Sequence, residues 1–134
     1  MYHEDEAVVL YMEAREAGLS GAELLEDPQK VMRDCNGIGA AWMPERMRKL
    51  ATLLNPVMEI PAAIHDRRYT IGGEAPGQRF ADAEFWANTQ TMIERRYAWW
   101  NPLRYVMRHR ANLFYSLLRD FGSLAWKESG DDNV

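Results

Sequence analysis

Cysteine, histidine and long apolar runs are all scarce in this chain. One cysteine, Cys35, excludes an intramolecular disulfide framework, and the scatter of the three histidines along the chain argues against a zinc site. No apolar run approaches the roughly 20 residues that a helix needs to cross a bilayer. The first residues are acidic and lack the basic and then apolar pattern of a secretory signal. The sequence therefore predicts a protein of a reducing compartment, with neither a signal peptide nor a transmembrane segment.

The composition is that of a globular protein, but the charge is unevenly spread. The chain has 134 residues, of which 47% are hydrophobic and 27% charged, and this predicts a single domain over residues 1–134. The net charge of −4 argues against nucleic-acid binding. Residues 1–36 hold nine acidic and three basic side chains, whereas residues 91–127 hold seven basic and two acidic ones. This asymmetry indicates either a surface that meets an anionic partner or charged helix faces that attract each other or face water.

Apolar residues recur at helical spacing through most of the chain, and no segment predicts a convincing strand. Ser20 and Glu23 fit a capping box, which predicts a short second helix after them. Met47, Leu50 and Leu54 share one face of a helix that begins at Pro44. The expected helices are 4–18, 21–26, 28–34, 44–54, one between Pro61 and Gly72, one from Arg79 to near Trp99, and 102–126. The sequence thus predicts a mainly α fold.

The stretch from Ile60 to Gly73 groups reactive side chains on one predicted helix. His65 and Tyr69 lie four residues apart and share a face, and Asp66 lies about 100° round the helix from His65. A side chain that titrates near neutral pH thus stands beside a carboxylate and a phenol. A lone His-Asp pair in a helix is usually structural or solvent-facing, but this grouping marks the helix as the candidate functional element.

Two other segments can meet this helix in space. The loop at 74–78 is short enough to bring the next helix back antiparallel, with Asp82 opposite the later turns of the His65 helix. A buried carboxylate there fixes the tautomer of an imidazole and stabilises the imidazolium that forms. The glycine-bearing turn at 36–40 can aim main-chain carbonyls at one point, and Asp66 offers a carboxylate oxygen. Oxygen ligation of this kind suits Ca²⁺.

Taken together, these segments resemble the phospholipase A2 superfamily. Asn-Gly-Ile-Gly at 36–39 looks like the calcium loop of the family, His-Asp-Arg-Arg-Tyr at 65–69 like its His-Asp-x-x-Tyr helix, and Ala-Asp-Ala-Glu-Phe at 81–85 like its Ala-Asp-x-x-Phe helix. The resemblance covers about residues 35–88. The lack of disulfides and the long separation between loop and His-Asp look more like bacterial and phage-encoded members. The predicted domain has N-terminal helices over 1–34, a loop and two antiparallel helices over 35–100 that the resemblance implies are catalytic, and a C-terminal helix over 101–127.

The resemblance implies a reaction and a role for each side chain of the helix pair. His65 is implied as the general base that activates a water against the sn-2 ester carbonyl of a glycerophospholipid. Asp82 is implied to orient His65, and Tyr69 to hold Asp82 by a hydrogen bond. The implied partner is a phospholipid membrane surface, bound peripherally, and the implied location is the cytoplasm or a virion of a phage or prophage.

The resemblance also implies calcium as the cofactor. Asp66 is implied as the carboxylate ligand, with the main-chain carbonyls of Cys35, Gly37 and Gly39 completing the protein's share of the site. The Gly37 N–H is implied as a second donor to the oxyanion. The loop lacks the cysteines and consecutive glycines of the secreted enzymes, and everything after about Asn88 lies outside the resemblance.

Other interpretations of the same residues remain open. Gly37 and Gly39 also suit a plain helix end, and Cys35 an inert small side chain. The chain could keep the fold without activity, as a structural or binding protein such as a phage virion or assembly component, or be a helical interaction module whose basic aromatic end binds an acidic partner. A metal-dependent phosphohydrolase of the His…His-Asp…Asp type would need another histidine upstream, where only His3 is available.

Aromatic and basic side chains gather at the start of the C-terminal part. Trp and Tyr favour the lipid headgroup region and Arg pairs with phosphate, so this group fits a lipid-docking face. The alternative is that most of the rings fill the core of the helical domain. The residues concerned are Tyr97, Trp99, Trp100 and Tyr105, beside Arg95, Arg96 and Arg104.

Overall fold

A computed structural model describes residues 2–35, 44–121 and 126 of the chain. Over these residues the protein has six α-helices, two short 3₁₀ segments and no strand, so the expected mainly α class is confirmed. None of the helices in the described ranges is both long enough and apolar enough to span a bilayer. The helices are α1 (Glu4–Glu16), α2 (Pro28–Asp34), α3 (Glu45–Leu54), α4 (Glu59–Ile71), α5 (Ala75–Arg96) and α6 (Pro102–Phe121), and the 3₁₀ segments are Ala22–Leu25 and Pro56–Met58.

The N-terminal helix ends at a glycine, as the sequence predicts. Gly18 has a left-handed φ of 68°, and the N–H of Leu19 reaches back to the carbonyl of Ala14 at 3.1 Å. A glycine just past the last turn takes this conformation without the steric penalty of a Cβ atom. The chain is thereby turned toward the 3₁₀ segment that follows α1.

The predicted capping box at Ser20 is wrong, because Ser20 bonds to α5 instead. Its hydroxyl donates to Glu84 Oε2 at 2.7 Å, and the residue at the start of the 3₁₀ segment is Gly21, without a side-chain cap. The main chain of Ser20 is held as well, since its N–H donates to Asn88 Oδ1 at 3.0 Å and its carbonyl accepts from Asn88 Nδ2 at 2.9 Å. The turn after α1 is therefore fastened to α5.

Two apolar clusters pack on opposite sides of α4. Ile60, Ala63 and Ile64 pack with α1, α2 and the first 3₁₀ segment, whereas Ala62 belongs to a cluster with α5 and α6. Eight of the 13 residues of α4 are buried, which makes it the central helix. Full burial of one side chain such as Ile64 contributes about 1.5–3 kcal/mol. Side chains of α4 can therefore meet both halves of the domain.

The third helix keeps its apolar face largely exposed. None of the residues of α3 is buried, and Met47, Leu50 and Leu54 are each about half exposed. At its end, Arg110 of α6 donates to the carbonyl of Leu54 at 2.7 Å. The periodicity that the sequence shows here is thus that of an amphipathic helix lying on the surface.

The aromatic residues after α5 divide between core and surface. Tyr97 is buried, but Trp99, Trp100 and Tyr105 are 75%, 67% and 56% exposed. The core interpretation is therefore confirmed for Tyr97 and wrong for the other three rings. The reason is that Trp99 and Trp100 lie in the turn after α5 ends at Arg96, outside the helix faces that pack together.

Candidate functional site

A short turn folds α5 back along α4. Gly72 and Gly73 have φ of 70° and 125°, conformations that favour glycine. Pro76 occupies the first turn of α5, which begins at Ala75, four residues before the predicted start at Arg79. The side chains that point from α4 toward α5 consequently face those in the first turns of α5.

The side chains of His65 and Asp82 meet between these two helices. His65 Nε2 lies 2.8 Å from Asp82 Oδ1, and both residues are buried. With an ionised carboxylate as its partner, Nε2 carries the proton and Nδ1 presents its lone pair. No residue in the described part of the chain hydrogen-bonds Nδ1. The Phe85 ring, edge-on with its centroid 5.5 Å from the imidazole centroid, limits the movement of His65.

Tyr69 binds the same oxygen of Asp82. Its hydroxyl donates to Asp82 Oδ1 at 2.7 Å, and its ring centroid lies 4.2 Å from that of His65. Burial, and then the hydrogen bond and charge of Asp82, raise the pKa of the Tyr69 phenol, while a hydrogen bond with Gln78 acts in the opposite direction. The phenol therefore stays a neutral donor at physiological pH and keeps Asp82 in place.

Trp126 packs against Tyr69 at the edge of the group formed by His65, Asp82 and Tyr69. The sequence patterns did not single out this residue. Its ring centroid lies 5.0 Å from that of Tyr69 at an interplanar angle of 86°, and its indole N–H donates to the carbonyl of Gly73 at 2.8 Å. Trp126 comes after α6 in the chain and is far from Tyr69 in sequence. Neither periodicity nor a local motif could have revealed the contact.

The charge of Asp66, on α4, acts on the thiol of Cys35, which directly follows α2. Asp66 Oδ2 is buried from solvent. The Cys35 thiol donates to the carbonyl of Ala63 at 3.3 Å, and burial, followed by the charges of Asp66 and Asp34, raises its pKa. The thiol is thus neutral, which agrees with the interpretation of Cys35 as an inert side chain.

The expected calcium ligands fall only partly on described residues. Gly37 and Gly39 lie outside them, and within residues 2–35, 44–121 and 126 no three or more His, Cys, Asp or Glu side chains cluster closely enough to hold a metal ion. Of the expected ligands, the described residues include Asp66, with its carboxylate, and Cys35, with its main-chain carbonyl. A hard carboxylate oxygen supplemented by main-chain carbonyls is a donor set that fits Ca²⁺.

A buried ion pair fixes the end of α2 against α4. Arg67 binds Asp34, both side chains are almost fully buried, and Arg67 Nε also donates to the carbonyl of Leu24 at 3.2 Å. Burial alone would raise the pKa of Asp34, but the hydrogen bonds from Arg33 and Arg67 hold it below its ordinary value. The end of α2 is therefore anchored to α4.

A second charged group sets the position of α5 along α4. Arg68 donates to both carboxylate oxygens of Glu84 at 3.0 Å, and Glu84 is buried. Because Ser20 binds the same carboxylate, Glu84 joins α5 both to α4 and to the turn after α1. A two-pronged arginine–carboxylate contact restricts sliding of the two helices, and Asp82 is thereby kept opposite His65.

Comparison of the chain with protein-family models, with curated proteins and with solved structures finds no match. The structure brings together His65, Asp82 and Tyr69 between α4 and α5, and the charge of Asp66 reaches the Cys35 thiol.

Proposed function

We propose that the protein is a calcium-dependent, phospholipase A2-like hydrolase that cleaves the sn-2 ester of glycerophospholipids. The observation that carries the proposal is the buried carboxylate of Asp82, which binds both His65 Nε2 and the Tyr69 hydroxyl through one oxygen. A histidine held in this way by one nitrogen is prepared to act as a general base with the other.

In the proposed reaction, His65 Nδ1 takes a proton from the attacking water. The water oxygen bonds to the ester carbonyl carbon, and the imidazolium that forms is stabilised by Asp82, 2.8 Å from Nε2. The ester C–O bond then breaks, and His65 Nδ1 returns the proton to the departing glycerol oxygen. Since both partners are buried, the attraction between imidazolium and carboxylate is screened less than it would be in water.

Calcium belongs to the proposal as the group that polarises the ester carbonyl when bound. Asp66 would hold it together with the carbonyls of Cys35, Gly37 and Gly39, and the Gly37 N–H would donate to the oxyanion. What supports this assignment is that Asp66 follows His65 in α4, so one rigid helix carries both the proposed base and the proposed calcium ligand.

The test of the function is fatty-acid release from mixed phospholipid vesicles. Release is expected with Ca²⁺ and is expected to stop with excess chelator. Asp66→Asn removes the carboxylate charge that calcium needs, and is expected to lower release at least about 100-fold. Asp120→Asn, at an exposed carboxylate of α6, serves as the control and is expected to act like the wild type.

Three results would contradict the proposal. Release that continues in chelator would remove calcium from the reaction, and an unchanged calcium dependence in Asp66→Asn would place the ligand elsewhere. No release from folded protein under either condition would support instead a catalytically inactive scaffold with the same fold.

The proposed partner is a phospholipid membrane surface, met by the turn between α5 and α6. Trp99 and Trp100 are among the most exposed apolar side chains of the described residues, and Arg95 and Arg96 beside them are also exposed. Indole rings settle at the headgroup level, and guanidinium groups pair with phosphate. Asp82 lies about 22 Å along α5 from Tyr97, at 1.5 Å per residue, so docking and hydrolysis use separate parts of the molecule.

Replacing Trp99 and Trp100 together by alanine is therefore expected to weaken vesicle binding without affecting the site. Loss of about 100 Å² of inserted apolar surface corresponds to about 2.5 kcal/mol, so binding in a vesicle co-sedimentation assay should fall by more than about tenfold. Turnover of a soluble short-chain ester should not change. The control is the double variant Val9→Ala with Met12→Ala, which removes exposed apolar surface from the acidic helix α1. Unfolding, or unaltered vesicle binding, would refute the docking role.

A further inference from the structure

The indole of Trp126 contacts α4, which carries the candidate base His65, as well as α5 and the turn between these two helices. It packs edge-on against Tyr69 of α4, donates to the carbonyl of Gly73 in the turn, and lies against Gly77 in the first turn of α5. A Cβ atom added at Gly77 would meet Trp126 Cζ2 at 3.3 Å, a distance that requires the ring to move by a few tenths of an ångström. One side chain from beyond α6 thus touches α4, α5 and the turn that joins them.

We propose that Trp126 is a positioning residue, which holds the Tyr69 hydroxyl on Asp82 and keeps water from that side of the His65–Asp82 pair. Tyr69 is the only other described side chain that hydrogen-bonds the Asp82 oxygen paired with His65. The edge of an indole against a phenol ring restricts the ring that it covers. The indole N–H bond to Gly73 fixes the orientation of Trp126 itself, and so the distance at which it covers Tyr69.

The chain from Trp126 to the imidazole has three steps. Trp126 fixes the Tyr69 ring, the Tyr69 hydroxyl fixes Asp82 Oδ1, and Asp82 fixes the His65 ring. That this positioning serves a proton transfer rests on the proposed function, whereas the contact of Trp126 with Tyr69 does not. A group that acts through two others is expected to alter the rate of the chemical step and to leave substrate affinity unchanged.

The first arm of the test follows the phenol of Tyr69 by nuclear magnetic resonance with tyrosine labelled at the ring carbon that bears the hydroxyl. In Trp126→Ala, water reaches Tyr69, and the pKa of its phenol is expected to fall toward the ordinary value of about 10, because burial is the main cause that raises it. The ionisable groups that face this phenol are Asp82 from α5 and His65 from α4, and both are retained in the variant. This arm needs no substrate.

Two further variants separate the contacts that Trp126 makes. Trp126→Phe keeps a ring on Tyr69 but loses the bond to Gly73, so it should lower the pKa of Tyr69 less than Trp126→Ala does. Gly77→Ala leaves the indole in the sequence but pushes against it, and should change Tyr69 in the same direction. Trp86→Ala is the matched control, since that indole N–H also donates at 2.8 Å, to Asn112, away from the site.

The second arm measures kcat and KM for fatty-acid release. Trp126→Ala is expected to lower kcat about tenfold with KM unchanged, and Trp126→Phe should recover part of the loss. A pKa of Tyr69 in Trp126→Ala equal to that of the wild type would overturn the proposal, and so would an unchanged kcat in an active enzyme. If the wild type releases no fatty acid, the proposed function fails, and the Tyr69 titration alone still decides whether Trp126 holds the phenol.

Discussion

His65→Asn is expected to lower the rate of fatty-acid release by about 10²–10⁴-fold, the contribution typical of a general base. Asparagine can still donate a hydrogen bond to Asp82, but it has no basic nitrogen that could take a proton from water. The fold should persist, because the replacement keeps a donor toward a buried carboxylate that accepts at 2.8 Å in the native protein. Initial rates on vesicles, with the thermal unfolding curve of each protein, provide the measurement.

The chain contains its own control for this experiment. His109 is exposed on α6, and His109→Asn changes the same side chain type without touching the site. Its release rate should equal that of the wild type. Wild-type activity in His65→Asn would refute the assignment of the base and would turn attention to the other charged groups of α4.

Arg67→Met is expected to lower the free energy of unfolding by about 3–5 kcal/mol, the loss typical when one partner of a buried ion pair is removed. The carboxylate of Asp34, whose side chain is only 5% exposed, would remain buried with less compensation. The carbonyl of Leu24 would lose a donor as well. Urea unfolding at neutral pH measures the effect.

The pH dependence of this difference follows from the direction of the Asp34 shift. Its pKa in the folded protein is lowered, so the pair contributes its full stability above the ordinary pKa of aspartate, about 3.9, and loses it as the pH falls through the folded-state pKa. The difference in free energy of unfolding between the wild type and Arg67→Met should therefore become smaller at low pH. A difference that stays constant across this range would argue against the ion pair as its cause.

Arg33→Met removes the exposed partner of the Asp34 carboxylate, and its effect can be compared with the loss of the buried partner in Arg67→Met. Arg33 also binds Asp34, at 2.7 Å, but its side chain is 48% exposed. Its loss should cost no more than about 1 kcal/mol, the range of solvent-exposed pairs. Equal losses for Arg33→Met and Arg67→Met would contradict the view that burial makes the Arg67 contact important.

Local spacing accounts for what the sequence predicted about the site. His65 and Tyr69 had to share a helix face, and a short turn had to return Asp82 toward them, so their meeting needed only helix geometry. The glycines at the end of α4 marked the turn. Each of these inferences depends on residues close together in the chain, where the backbone leaves few alternatives.

Contacts between distant residues account for what the sequence missed. Ser20 has the spacing of a capping residue relative to Glu23, but a buried carboxylate 64 positions away offers it a better partner. The covering of Tyr69 by Trp126 is equally remote. Whether Trp99 and Trp100 lie in the core depended on where α5 ends relative to its neighbours. Tertiary packing determines such partners and the burial of such rings, and helical periodicity alone does not predict it.

The buried thiol of Cys35 can serve as a probe of local opening in the native protein. Cys35 is the one cysteine of the chain, it is 3% exposed, and burial raises its pKa. Thiol reagents attack the thiolate, so the folded state is protected twice, by lack of access and by lack of the reactive form. Labelling therefore requires an opening of the structure that exposes Cys35. The rate of alkylation would then report the local opening of the structure around Cys35, in an otherwise unmodified chain.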